Sequence, residues 1–143
     1  PLNAVSIVDF SGQPPDNSVN LQNVISGAAP PWRSDNYRGS AAFGGLKNGM
    51  GLMFDLGSEQ NVKTVTVKTP TPGFNVEIRT APSATPTAAQ TSTVGSGTVD
   101  QPSTTLTIAD PQPSRYVMVW LTSLPASSNG SYQVQIGQVT MTN

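Results

Sequence analysis

Arg115-Tyr116-Val117-Met118-Val119-Trp120-Leu121 is the most apolar stretch of the chain, and its reading decides the fold class. Its side chains alternate. Val117, Val119 and Leu121 fall on one face of an extended segment, and Tyr116, Met118 and Trp120 fall on the other. A strand that is apolar on both faces is expected to be covered on both, by loops or by a second sheet.

The same period of two extends outward from this stretch. Residues 62–68 alternate with Val65 and Val67 on one side and Thr64 and Thr66 on the other, and residues 74–80 put Phe74, Val76 and Ile78 on a common face. Residues 4–10 read as a strand with Val5, Ile7 and Asp9 opposed to Ser6, Val8 and Phe10, and residues 51–56, 90–94 and 104–109 read as further strands. The closing segment, residues 131–142, alternates through Tyr132, Val134 and Ile136 before Gly137 permits a bend or bulge. Between strands lie Ser11-Gly12-Gln13-Pro14-Pro15, Pro70-Thr71-Pro72-Gly73, and Gly44-Gly45-Leu46-Lys47-Asn48-Gly49, the last predicting a hairpin around Lys47 and Asn48. Residues 16–26, with Val19, Leu21, Val24 and Ile25, read as a short helical turn or an irregular apolar segment. Residues 81–89, rich in Pro, Ala, Ser and Thr, read as a long loop inside one domain. About eight strands with Gly/Pro-rich connections in 143 residues predict a single all-β domain, an antiparallel β-sandwich of jelly-roll or immunoglobulin type.

Composition removes whole classes of function. The chain has no His and no Cys, so Ser-His-Asp, Cys-His and zinc-hydrolase mechanisms are all excluded, and there is no disulfide framework. Eight carboxylates (Asp9, Asp16, Asp35, Asp55, Glu59, Glu77, Asp100 and Asp110) are scattered singly, with no spacing that forces a glycosidase pair together. Seven basic residues without a basic run, at a net charge of -1, offer no electrostatic drive toward nucleic acid or an anionic membrane. The 16 serines and 16 threonines take over the solubilising role of the missing charges. No apolar run is long enough to cross a bilayer, so direct membrane insertion is not expected. Pro1 is not a translation start, and the chain is expected to be a fragment whose anchor, if any, lies outside it.

The chemically richest stretch is the loop of residues 27–39, which holds Trp32, Arg33, Asp35, Tyr37 and Arg38. Aromatic rings stack on sugar faces, and charged side chains hydrogen-bond hydroxyls. These five residues, with Ser128 and Asn129 in the loop 127–129, are therefore the candidate ligand-binding set. The alternative is architectural: Trp32 plugs the end of the core and Arg33 or Arg38 pairs with Asp35. Asp55 reads as architectural too, a carboxylate accepting local backbone hydrogen bonds to fix the turn after its strand.

Three stretches, in order, resemble the galactose-binding-like jelly rolls, the superfamily of discoidin and coagulation-factor C-type domains and of many carbohydrate-binding modules. The loop ending in Trp32-Arg33-Ser34 resembles its "DG...T.W" loop. Gly51-Leu52-Met53-Phe54-Asp55-Leu56-Gly57 resembles its "W-hydrophobic-x-DLG" strand, and Arg115 to Leu121 its "RYV-x-V" strand. More narrowly, the sparse charge and Thr/Pro/Ala-rich loops resemble the extracytoplasmic C-terminal domain of the mycobacterial MviN proteins, lipid II flippases fused to a pseudokinase. The resemblance implies a jelly roll that binds through loops at one end, outside the cytoplasm. It also implies a structural calcium, but Ser26-Gly27 stands where the family often has Asp-Gly, and Gln138 where it often has Glu. No cofactor is expected. The expected function is a non-catalytic module gripping a glycan, a peptidoglycan precursor or a cell-envelope protein; the competing expectation is a structural or protein-interaction domain without a small ligand.

Overall fold

The computed structural model describes residues 2–10, 16–45, 48–127 and 130–143. Its strands are β1 (Ser6–Phe10), β2 (Trp32–Arg33), β3 (Tyr37–Arg38), β4 (Met50–Asn61), β5 (Thr64–Lys68), β6 (Phe74–Ala81), β7 (Ser92–Val99), β8 (Ser103–Thr107), β9 (Pro113–Leu121), β10 (Ser131–Tyr132), β11 (Gln135–Ile136) and β12 (Gln138–Thr142). The one α-helix among the described residues, α1 (Asn23–Ser26), is a single turn. It ends on Gly27, whose φ of 76° is the left-handed conformation that glycine adopts without a steric cost.

A five-stranded sheet, β1-β4-β9-β6-β7, faces a three-stranded sheet, β12-β5-β8. Every pairing is antiparallel. Two short ribbons, β10-β3 and β11-β2, close one end. The expected antiparallel sandwich is what forms. The predicted hairpin at Lys47 and Asn48 falls partly outside the described residues.

β9, the stretch that decided the fold class, runs through the centre of the larger sheet. Its inward set lines up with neighbours of the same kind: Ile7, Phe54 and Val117 form one cross-strand row, Leu52, Val119 and Ile78 the next, and Met50, Leu121 and Val76 a third. Opposite them Val65, Val67, Leu106, Val139 and Met141 supply the other half of the buried cluster. Val117, Val119, Leu121, Ile78, Val65 and Val67 have no exposed surface. Burial of this kind is the main stabilising term for a chain without a disulfide.

The two sheets differ on their outer faces. On the three-stranded sheet the outward rows are Gln138, Lys68 and Ser103; Thr140, Thr66 and Thr105; and Thr142, Thr64 and Thr107. The five-stranded sheet instead carries Phe10, Gly51, Trp120, Glu77 and Ser96 in one outward row and Val8, Met53, Met118, Arg79 and Thr93 in the next. There Met53, Ala81 and Met118 form a second buried cluster, roofed by partly buried Phe10, Tyr116 and Trp120.

Candidate functional site

The loop of residues 27–39 folds as two short strands whose alternation sorts the candidate residues by side. Trp32, Ser34 and Tyr37 point inward; Arg33, Asp35 and Arg38 are exposed. Trp32 is fully buried and Tyr37 is 4% exposed. Neither ring presents a face on which a sugar can stack. The expectation that these two aromatics form part of the contact surface is corrected on this point: each lies between ribbon and core because the strand period turns both toward the apolar interior. Arg33 sits opposite Gln135, and Arg38 opposite Ser131, on the two ribbons. Ser128 and Asn129 lie outside the described residues.

What holds this rim is Asp16, a buried carboxylate that no motif in the sequence singles out. Its Oδ1 accepts the N–H of Asn17 at 2.6 Å and of Asp35 at 2.7 Å, and its Oδ2 accepts the Tyr37 hydroxyl at 2.5 Å. Its own N–H donates to Asp9 Oδ2 at 2.8 Å. Next to it, Trp32 Nε1 donates to the Asn17 carbonyl and Asn17 Nδ2 donates to the Arg33 carbonyl, both at 2.8 Å. A buried carboxylate is tolerable because donors from three residues surround it. Burial, followed by the bond to Asp16 and the negative charges of Asp16, Asp35 and Asp9, pushes Tyr37 ionisation well above tyrosine's ordinary value. Tyr37 therefore remains a donor. Its ring meets Phe43 edge-on at 5.4 Å, and Phe43 is itself fully buried.

The positions of the implied calcium do not fit that ion. Gln138 packs against Gly27, where an added Cβ would lie 2.9 Å from the Gln138 Cδ, and its Nε2 donates to the Ile25 carbonyl at 3.4 Å. Neither Ser26 nor Gln138 offers the carboxylate that calcium sites usually include. Among the described residues no group of three or more Asp, Glu, His or Cys gathers that could hold a metal.

Asp55 behaves as its motif suggests and does more. Its Oδ1 accepts the Gly57 N–H at 2.8 Å, which fixes the turn of the chain where Gly57 takes a φ of 82°. The Arg115 guanidinium grips both oxygens, with Nε at 2.8 Å and Nη2 at 3.1 Å. That bond, then the Gly57 N–H, holds the Asp55 carboxyl below the usual carboxylate range. The arrangement joins β4 to β9 and resembles no acid–base pair.

No family model matches the chain. Its structure is similar to the family 32 carbohydrate-binding module (CBM32) of AlyQ in complex with 4,5-unsaturated mannuronic acid, at 20% identity over 99% of this chain and 96% of that one, with a TM-score of 0.66. It is similar to chitosan-binding module 1 of a chitosanase/glucanase from Paenibacillus sp. IK-5, at 20% identity, the same coverages and a TM-score of 0.68. The family 32 module of NanJ from C. perfringens, solved with galactose, is 16% identical, covers 95% and 91%, and has a TM-score of 0.61. What these likenesses establish is the fold, an antiparallel β-sandwich like that of the solved modules. Among the described residues no helix is long and apolar enough to cross a membrane.

Proposed function

We propose that this chain is a non-catalytic glycan-binding module that works outside the cytoplasm, on the cell-wall side of a membrane protein of peptidoglycan synthesis such as those of MviN type. The contact surface is the ribbon end, with Arg33, Asp35 and Arg38 offering charge-assisted hydrogen bonds to hydroxyls and amides. The observation that carries the reading is the anchoring of these exposed residues by Trp32, Tyr37 and Asp16 from within, which pre-organises the rim. Support also comes from the solved modules of the same fold, whose names record chitosan, galactose or unsaturated mannuronic acid. With Trp32 and Tyr37 turned inward, recognition there rests on hydrogen bonds.

The buried Trp32 favours a second reading, a structural or protein-interaction domain with no small ligand. A titration of the chain against muropeptides and wall polysaccharides, with Arg33→Ala and Arg38→Ala alongside, separates the two. Binding that weakens in both variants supports the rim; no binding at millimolar concentrations, or variants that bind like the parent, removes it.

A further inference from the structure

The outer face of the five-stranded sheet is built unlike a solvated face. An antiparallel sheet with one face on the core ordinarily turns polar residues to water, as the Thr rows of the three-stranded sheet do. Here Tyr116 and Trp120, four residues apart on β9 and hence about 13 Å apart along the strand, lie over Met53 and Met118 and remain partly exposed. The Trp120 ring has a defined bed. An added Cβ at Gly49 would lie 2.5 Å from Trp120 Cε2, and one at Gly51 would lie 3.0 Å from Trp120 Cε3, so the indole rests on two positions that only glycine leaves open. The Arg79 guanidinium covers the Trp120 ring at 4.6 Å, and Arg115 lies over Tyr116 at 5.2 Å.

Each guanidinium is in turn oriented by a carboxylate. Arg79 Nε and Nη2 donate to Glu77 Oε1 at 2.9 and 2.7 Å, and the Thr93 hydroxyl donates to the same oxygen at 3.1 Å. Arg115 is held by Asp55. At the Tyr116 end the face opens into a cleft of about 820 Å³, whose walls include Ser58, Glu59, Ser83, Gln90 and Ser92 beside Arg115 and Tyr116. That volume is within the range of small-ligand sites, roughly 300–1,000 Å³. The cleft lies at the Tyr116 end of β9, whereas beyond the Leu121 end the Leu124 N–H donates to the Ala41 carbonyl, three residues after β3.

We propose that this cleft, continued along the sheet from Tyr116 toward Trp120, is a second glycan-binding site that takes an uncharged oligosaccharide. The partly exposed Tyr116 ring, flanked by donors and acceptors, suits a sugar chain with its apolar ring face and hydroxyls around the edge, while Trp120, seated on Gly49 and Gly51 and covered by Arg79, contributes only its exposed edge. Hydroxyls of Ser58, Ser83 and Ser92, the Gln90 amide and the two oriented ion pairs supply both kinds of hydrogen-bonding group. The charges specify neutrality: Arg79 and Glu77 offset each other, as do Arg115 and Asp55, and Glu59 in the wall disfavours an anionic sugar. The inference shares its ligand class with the function proposed above but stands on a different surface.

The test is an NMR titration of the 143-residue chain with cello-, xylo- and N-acetylchito-oligosaccharides, followed through backbone amides and the indole N–H signals. Shifts confined to β6, β9 and the cleft wall are expected, with a loss of affinity of about tenfold in Tyr116→Ala. Ser58→Arg, at an exposed position of the wall, fills the cleft without touching the core and is expected to lose binding as well. Tyr116→Phe, which keeps the ring, retains it. Binding abolished by Arg33→Ala and Arg38→Ala but unaltered in Tyr116→Ala and Ser58→Arg overturns this site and leaves the rim standing. Absence of binding by the parent to every neutral oligosaccharide, alongside muropeptide binding at the rim, overturns it too.

Discussion

The ribbon end at Trp32 to Arg38 and the outer sheet face at Arg115 to Trp120 have nearly the same ingredients: a Trp, a Tyr, arginines and a carboxylate close by. They are assembled in opposite senses. At the ribbon end Trp32 and Tyr37 face inward and the charges face out; on the sheet, Tyr116 and Trp120 form the roof and the charges lie over or beside the rings. Side-chain chemistry alone does not say which arrangement results. The side on which an aromatic falls depends on where its strand meets the apolar cluster, and that is a property of the pairing register.

The sharpest break of this comparison is to delete each tryptophan in turn. Trp32→Ala is expected to destabilise the fold by about 3–5 kcal/mol in chemical denaturation, because it empties a fully buried site and orphans the Asn17 carbonyl. Trp120→Ala is expected to cost well under that, since its ring is partly exposed. Equal losses would show that the two regions are not built differently.

A smaller effect separates Tyr37 from ordinary tyrosines. Tyr37→Phe leaves the buried Asp16 short of a donor and is expected to cost about 1–3 kcal/mol near neutral pH. The folded-state ionisation of Tyr37 lies above its unfolded value of about 10, so its contribution is complete below that pH and is lost as pH rises toward the folded value. The parent should therefore lose stability above about pH 10 more steeply than the Phe variant; parallel alkaline profiles would contradict the buried hydrogen bond.

Asp55 tests the sheet side at the acid end. Its folded ionisation lies below the unfolded value of about 3.9, so its stabilising contribution is present above that pH and lost as pH falls through the folded value. Because Arg115 is 45% exposed, Asp55→Asn is expected to cost only about 0–1 kcal/mol at neutral pH and to flatten the acid limb of the stability profile. The smallest expected effect is none at all: thermal midpoints in a chelator and in about millimolar calcium should coincide, given that neither Ser26 nor Gln138 offers a carboxylate. A rise in midpoint with calcium would reverse the reading of those positions.

Much of the fold was legible because half-buried strands write their burial as alternation, as in Val65 and Val67 against Thr64 and Thr66. β7 was harder to read. It continues to Val99, past the sequence reading of residues 90–94, through Gly95-Ser96-Gly97, which has no apolar period. The reason is steric: an added Cβ at Gly97 would lie 2.5 Å from Leu106 Cδ2, so this strand yields its side-chain volume to a neighbour on β8. The rim was half legible. Its residues could be named, but not Asp16, whose donors come from positions up to 21 residues distant and leave no local pattern.

By itself the sequence determined that this is an all-β chain lacking histidine and cysteine chemistry, because strand periodicity and residue inventory are local properties. Only the tertiary structure decided that Trp32 and Tyr37 face the core while Tyr116 and Trp120 roof the opposite sheet, and that Asp16 and Asp55 each anchor distant segments. Those outcomes depend on contacts between residues far apart in the chain. A single strand's alternation says that two faces exist without saying which one the rest of the molecule will cover.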